Sequence, residues 1–133
     1  GFYLATSLKG ELLGNIDRVS TILSRMEKTG VYSLESSDEK VLDNYVWMAM
    51  RYNPETLQVP SQVLNSIASF YRITKESFNN MAKKKRGWTT PQDHANKVLK
   101  SLSVLQKTVL PKLVKHIAGL KGKLDDAGID DLL

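Results

Sequence analysis

The strongest constraint on this chain is one apolar stripe that stays in phase through its last third. From Ala95 it runs through Val98, Leu99, Leu102, Leu105, Val109, Leu113, Ile117, Leu120 and Leu124. At the α-helical rotation of roughly 100° per residue these positions fall within one arc of about 140°. Lys97, Lys100, Lys107, Lys112, Lys115, Lys121 and Lys123 fall on the complementary arc. A long helix, apolar on one side and cationic on the other, satisfies both patterns. Thr90-Pro91-Gln92-Asp93 opens it, with Thr90 as N-cap and Pro91 at the first helical position, where a missing N–H costs nothing. Pro111 interrupts it. Proline cannot donate to the carbonyl of Lys107 and its ring crowds that turn, so the pattern predicts a kink. The in-phase stripe argues against a break. Gly119 and Gly122 loosen the final turns.

Three more helices are expected upstream. Leu12, Ile16, Val19, Leu23 and Met26, extended backwards by Leu8, repeat at alternating spacings of four and three and draw one stripe. Thr6 or Ser7 caps this helix and Gly30 closes it, as a residue free to take positive φ. Ser36-Ser37-Asp38-Glu39 opens the second, where Ser36 with Glu39 fits a capping box. Its apolar face is read as Leu42, Tyr45, Val46, Ala49 and Tyr52. Trp47 and Met50 fall off that stripe, so the helix is apolar nearly all round and is expected to be the most enclosed, or to touch a partner. Asn53-Pro54 ends it. Pro60 suits the first turn of the third helix, whose stripe is Val63, Leu64, Ile67, Phe70 or Tyr71, Phe78 and Met81. Lys83 to Arg86 terminate it ahead of Gly87, with cations in the last turn favoured by the helix dipole. Asn53 to Pro60, with Leu57 and Val59 between two prolines, is either a tight loop capping the helices or a docking loop.

Four amphipathic helices with short connections and no strand-like alternation predict an all-α, up-down four-helix bundle with a long, proline-kinked fourth helix. The domain is expected over residues 1–123, and residues 124–133 are read as a mobile acidic C-terminal tail. The length, 133 residues, suits one domain with its own core. The chain has no cysteine, which rules out disulfide frameworks and thiolate chemistry. Its longest apolar run, Tyr45 to Met50, is far short of a membrane span. No signal-peptide pattern is visible in residues 1–13, and the start at Gly1 reads as a processed or truncated form.

The net charge of +5 is local. Eleven of the nineteen Lys and Arg residues lie between Lys83 and Lys123, opposed only by Asp93, which gives that segment +10. The last ten residues carry −4, and the remaining 82 residues, with eight bases and nine acids, are close to neutral. Clustered charge of one sign predicts an anionic partner better than net charge does. The candidate partner-binding residues are Lys83, Lys84, Lys85, Arg86, Trp88, Lys97, Lys100 and Lys107. The cluster from Lys83 to Arg86 reads in two ways, as a favourable helix terminus or as a docking patch. Trp88 beside it suits docking better than capping. The lysine arc reads as a binding face or as solvated surface, although solvated faces usually mix signs. Nucleic acid is disfavoured, because the aromatics lie on apolar faces and are not interleaved with the lysines.

No catalytic, metal or cofactor site is expected. His94 and His116 lie 22 positions apart on one helix, about 33 Å, and neither has a carboxylate three or four residues away. There is no Glu-x-x-His pair, no glycine-rich phosphate loop, and no Lys-Gly after His116 of the kind a histidine phosphotransfer bundle needs. An enzyme would require a site of Tyr, Lys and Asp assembled by the fold.

One family resembles the second half of the chain. Ala82-Lys83-Lys84-Lys85 ending a helix, then Pro91 with Ala95, then Val109-Leu110-Pro111-Lys112-Leu113, look like the Q-type extrinsic subunit of photosystem II and its algal relatives. Arg51-Tyr52 is similar to that family's Arg-Tyr at the end of its second helix. The match covers about 35 of 133 residues. Arg86-Gly87-Trp88-Thr89-Thr90 looks inserted, Pro111 replaces a helix former, residues 114–133 run past the family's usual end, and its proline-rich amino-terminal arm is missing. The resemblance implies a basic, non-enzymatic four-helix bundle in the chloroplast thylakoid lumen, peripheral to the membrane. It implies docking on acidic surfaces of photosystem II subunits and other extrinsic proteins in support of oxygen evolution, with no cofactor and no small-molecule substrate. The alternative is a basic helical adaptor for nucleic acid or an anionic membrane or protein surface.

Overall fold

The computed structural model describes residues 2–35, 38, 41–51, 59–83 and 89–128, with Arg51 by its backbone alone. These residues are helical apart from their connections and contain no strand. The elements are α1 (Phe2–Thr29), α2 (Tyr45–Arg51), α3 (Ser61–Ala82), α4 (Pro91–Val104), a π segment (Leu105–Val109) and α5 (Leu110–Asp126). The last three form one uninterrupted helical rod.

α1 starts earlier than expected, at Phe2, so Thr6 and Ser7 lie inside the helix as exposed residues and cap nothing. Ala5, Leu8, Leu12, Ile16, Val19, Ile22 and Met26 are buried along it, and Ile22 takes the core position expected of Leu23, which is half-buried. Gly30 closes the helix at φ +70, its N–H donating to the Met26 carbonyl at 2.8 Å. A residue with a Cβ would be strained in that left-handed conformation.

The second helix differs most from expectation. It begins at Tyr45, several residues past the Ser36–Glu39 motif, of which only Asp38 lies within the described residues. The reason lies in α1, whose side chains occupy the intervening backbone. Arg18 Nε donates to the Val41 carbonyl at 2.8 Å, and Asn15 bonds both the Asp43 carbonyl and the Asp43 N–H at 2.8 Å each. Arg25 pairs with Asp38 at 2.8 Å, and Asp38 also accepts from the Glu35 N–H at 2.8 Å. Backbone groups satisfied this way have no need of helical partners.

The buried face of α2 is also rotated from the expected one. Trp47 and Met50 are buried, Val46 and Leu42 are half-buried, and Tyr45 is 81% exposed with Ala49 exposed beside it. Trp47 stacks on Tyr71 of α3 with centroids 5.7 Å apart and planes 10° from parallel. Burying Trp47 and Met50 removes more apolar surface from water than burying Tyr45 and Ala49 would. α2 is thus not the most enclosed helix. Tyr52 and the Asn53-Pro54 stop fall outside the described residues, as does Leu57; Val59 is buried.

α3 follows its expected pattern from an N-cap at Pro60 to Ala82, with both Phe70 and Tyr71 in the core and Leu64 half-buried. α4 opens with the expected cap. Thr90 accepts from the Asp93 N–H at 3.1 Å, and the Asp93 carboxylate accepts from the Thr90 N–H at 3.0 Å. α3 and α4 pack along each other, and Gln62 and Ser66 near the start of α3 line a groove with Thr108 and Lys112, so the pair runs antiparallel.

The stripe on the long rod is buried at Ala95, Val98, Leu102, Leu105, Val109 and Leu113, and partly buried at Ile117, Leu120 and Leu124. Leu99 is the exception, 53% exposed, because Ala95, Val98 and Leu102 already fill the side facing the core. Pro111 is accommodated by a widened turn. The Leu110 N–H donates to the Leu105 carbonyl five residues back, which relaxes the helix where the proline ring would otherwise meet the Lys107 carbonyl. α5 continues to Asp126, three residues into the segment expected as tail, and residues 129–133 lie outside the described residues.

Candidate partner-binding surface

The lysines of the rod stand where the periodicity puts them. Lys97 and Lys100 on α4, Lys107 in the π segment, and Lys112, Lys115, Lys121 and Lys123 on α5 are all exposed. Lys121 pairs with Asp125 one turn on, at 3.8 Å. Lys97, Lys100, Lys107, Lys112, Lys115 and Lys123 have no ion pair among the described residues. Lys83 is the exposed C-cap of α3. Lys84, Lys85, Arg86 and Trp88 lie outside the described residues. The fold therefore brings Lys97, Lys100 and Lys107 onto one rod and puts Lys83 at the α3 end of the hairpin. Val104, 52% exposed, lies among the lysines, one turn after Lys100 and one turn before Lys107.

Several acids are engaged with other groups, although Asp93 also feels the charge of Lys97 one turn on. Asp93 is held by its cap, whose backbone and hydroxyl hydrogen bonds with Thr90 keep its carboxyl below the usual range. Asp43 pairs with Arg18 at 2.9 Å, and Glu35 and Asp38 with Arg25 at 3.6 and 2.8 Å.

Sequence reasoning missed a polar network between α1, α2 and α3. The Glu11 carboxylate accepts from the N–H groups of Val46 (2.9 Å) and Trp47 (3.0 Å) and from the Tyr71 hydroxyl (2.9 Å). A residue of α1 thus caps the N-terminus of α2, where a negative charge is favoured by the helix dipole. Fully buried Asn15 donates to the Tyr71 oxygen at 3.0 Å and to the Asp43 carbonyl, and accepts from Arg18 at 2.6 Å. Burial first, and then the charge of Glu11, pushes the Tyr71 hydroxyl well above the ordinary tyrosine range. The available signal was the run Glu11, Asn15, Arg18 at helical spacing beside the apolar stripe. These groups are occupied with one another, and the chemistry they perform is positioning α2.

The remaining polar features offer little chemistry. The groove between α3 and the π segment, about 280 Å³, is floored by Val63 and Val109 and edged by Gln62, Asn65, Thr108 and Lys112, with no carboxylate or imidazole. Among the described residues no three His, Asp or Glu side chains converge to hold a metal ion. His116 is half-buried with its Nε2 unpartnered among the described residues, and burial, aided by the charge of Lys123, holds its imidazole below the usual range. No helix among the described residues is long and apolar enough to cross a membrane. Neither a protein-family model, nor a curated protein, nor a solved structure matches the chain.

Proposed function

We propose that this chain is a non-catalytic helical docking subunit that attaches to an acidic protein surface. The observation that carries the reading is the set Lys97, Lys100, Lys107, Lys112, Lys115 and Lys123, exposed along the rod and without ion pairs among the described residues. Long-range attraction by such a set speeds encounter, and local burial then holds the contact. In this reading Lys83, Lys84, Lys85 and Arg86 extend the basic surface and Trp88 is its apolar anchor. The four helices, with α4 and α5 counted as one, form an up-down bundle; the antiparallel packing of α3 on α4 supports that arrangement.

The resemblance of Ala82–Lys85, Pro91 with Ala95 and Val109–Leu113 to the Q-type extrinsic subunit directs the proposal to photosystem II. There the chain would sit on the lumenal face of the thylakoid membrane and support oxygen evolution by electrostatic binding to membrane subunits. The test is binding to purified photosystem II membranes followed by washes of rising salt. Retention at low ionic strength and release as salt screens the contact is the expected result. Absence of binding, or binding indifferent to salt, refutes it. Tighter binding to duplex DNA or to acidic vesicles than to the membranes would instead establish a nucleic-acid or lipid adaptor.

A further inference from the structure

We infer that the outward side of α4, the π segment and α5 is a linear track for an acidic polypeptide segment lying lengthwise along the rod. The inference rests on the docking role proposed above and names the shape and chemistry of what docks. The track consists of Lys97, Lys100, Lys107, Lys112, Lys115 and Lys123, all exposed and without ion pairs among the described residues. It spans about 39 Å at 1.5 Å rise per residue. No acid lies on the rod between Asp93 and Asp125.

The π segment narrows the angular spread of the side opposite the track. Leu105, Val109, Leu113 and Ile117 follow one another at spacings of four. In an unbroken α-helix each such step passes a full turn by about 40°, so three steps carry the stripe about 120° around the axis. The wider π turn takes back most of that rotation, and Val109 and Leu113 are buried while Ile117 packs against the core. The same correction acts on the opposite side. On that side Lys112 and Lys123 are exposed, as Lys97 and Lys100 are.

The composition of the track selects its partner. It is all lysine: residues 91–126 contain no arginine and no Phe, Tyr or Trp. Without guanidinium forks it lacks bidentate phosphate recognition, and without aromatics it lacks both base-stacking platforms and the interfacial side chains that seat a helix in a bilayer. Lysine ammonium groups in a single file match carboxylates that recur every three or four residues along a narrow partner. Val104, exposed within the file, meets an apolar side chain between those carboxylates.

The experiment uses the full chain and a fluorescent poly-L-glutamate of about 20 residues, ionised and extended at neutral pH and up to about 66 Å long, enough to cover the track. Anisotropy titrations at about 0.05 M salt are expected to show binding that weakens at least tenfold by about 0.5 M. Lys107→Glu with Lys112→Glu, both exposed positions, is expected to weaken it at least tenfold, whereas Lys83→Glu changes it less than about twofold. Undiminished affinity in the double variant overturns the track. So does tighter binding of oligothymidylate or of phosphatidylglycerol vesicles than of polyglutamate by the wild-type chain. Polyglutamate binding that depends on Lys107 and Lys112, together with no retention on photosystem II membranes, leaves the track standing and removes the photosystem assignment alone.

Discussion

Glu11→Ala should release α2 from the rest of the protein. Glu11 accepts three hydrogen bonds, from Val46 N–H at 2.9 Å, Trp47 N–H at 3.0 Å and Tyr71 Oη at 2.9 Å. Charge-assisted bonds of this kind are worth about 1.5–3 kcal/mol each when their loss leaves a buried partner unpaired. The three partners do not all suffer equally. Tyr71 Oη lies 3.1 Å from the Asp43 carbonyl and can turn its proton there. The two amides sit in the first turn of a seven-residue helix, where fraying lets water reach them. The loss should therefore be about 2–4 kcal/mol, less than the sum of three bonds. Urea unfolding followed by far-UV circular dichroism gives the global change. Hydrogen exchange at Val46 and Trp47 gives the local one, and both amides should lose protection more than those of α3. Glu11→Gln, which keeps one acceptor oxygen, should fall between wild type and alanine. An unchanged urea midpoint with unchanged exchange at both amides would refute the capping role.

Other outcomes follow from the same contacts. Leu102→Ala or Leu105→Ala should each cost about 2–5 kcal/mol in urea unfolding, since both side chains are buried in the stripe; small losses at both would mean the rod is rotated differently. Thr74→Val should stabilise by up to about 1 kcal/mol, because the fully buried Thr74 hydroxyl has no hydrogen-bond partner among the described residues. Raising the pH should weaken the fold through Tyr71. Its folded pKa is raised, so its contribution is intact below the unfolded value near 10 and is lost progressively as pH climbs above it; Tyr71→Phe should flatten that limb of the stability profile. Deleting exposed Gln106 from the π segment should restore a regular helix and cost at least about 2 kcal/mol less than deleting Asn96 from α4, where no surplus residue exists, as compared by thermal unfolding.

The elements that were legible in the sequence are those whose signals act within a turn or two. Thr90 and Asp93 are three residues apart, and their reciprocal cap forms as the motif predicts. Gly30 ends α1 because the need for positive φ is local. The stripes of α3 and of the rod repeat at helical spacing, and their buried faces agree with the period except at exposed Leu99 and at half-buried Leu64, Ile117, Leu120 and Leu124. The widened turn at Leu105–Val109 was not read from the sequence, where Pro111 pointed only to a kink and the stripe fits one side of a plain α-helix. Exposure of the track lysines was legible from the same helical period.

Tertiary structure alone decided where α2 begins, which of its faces is buried, and what caps it. The sequence offered a sound local start at Ser36–Glu39, yet the helix begins at Tyr45 because Asn15, Arg18 and Arg25 reach the intervening segment from α1. Its cap comes from Glu11, and the aromatic partner that turns Trp47 inward comes from Tyr71, 60 residues along the chain from Glu11. A short helix gains too little from its own hydrogen bonds to fix its ends or its rotation. Contacts between distant segments therefore set both, and no pattern confined to a few neighbouring residues contains them.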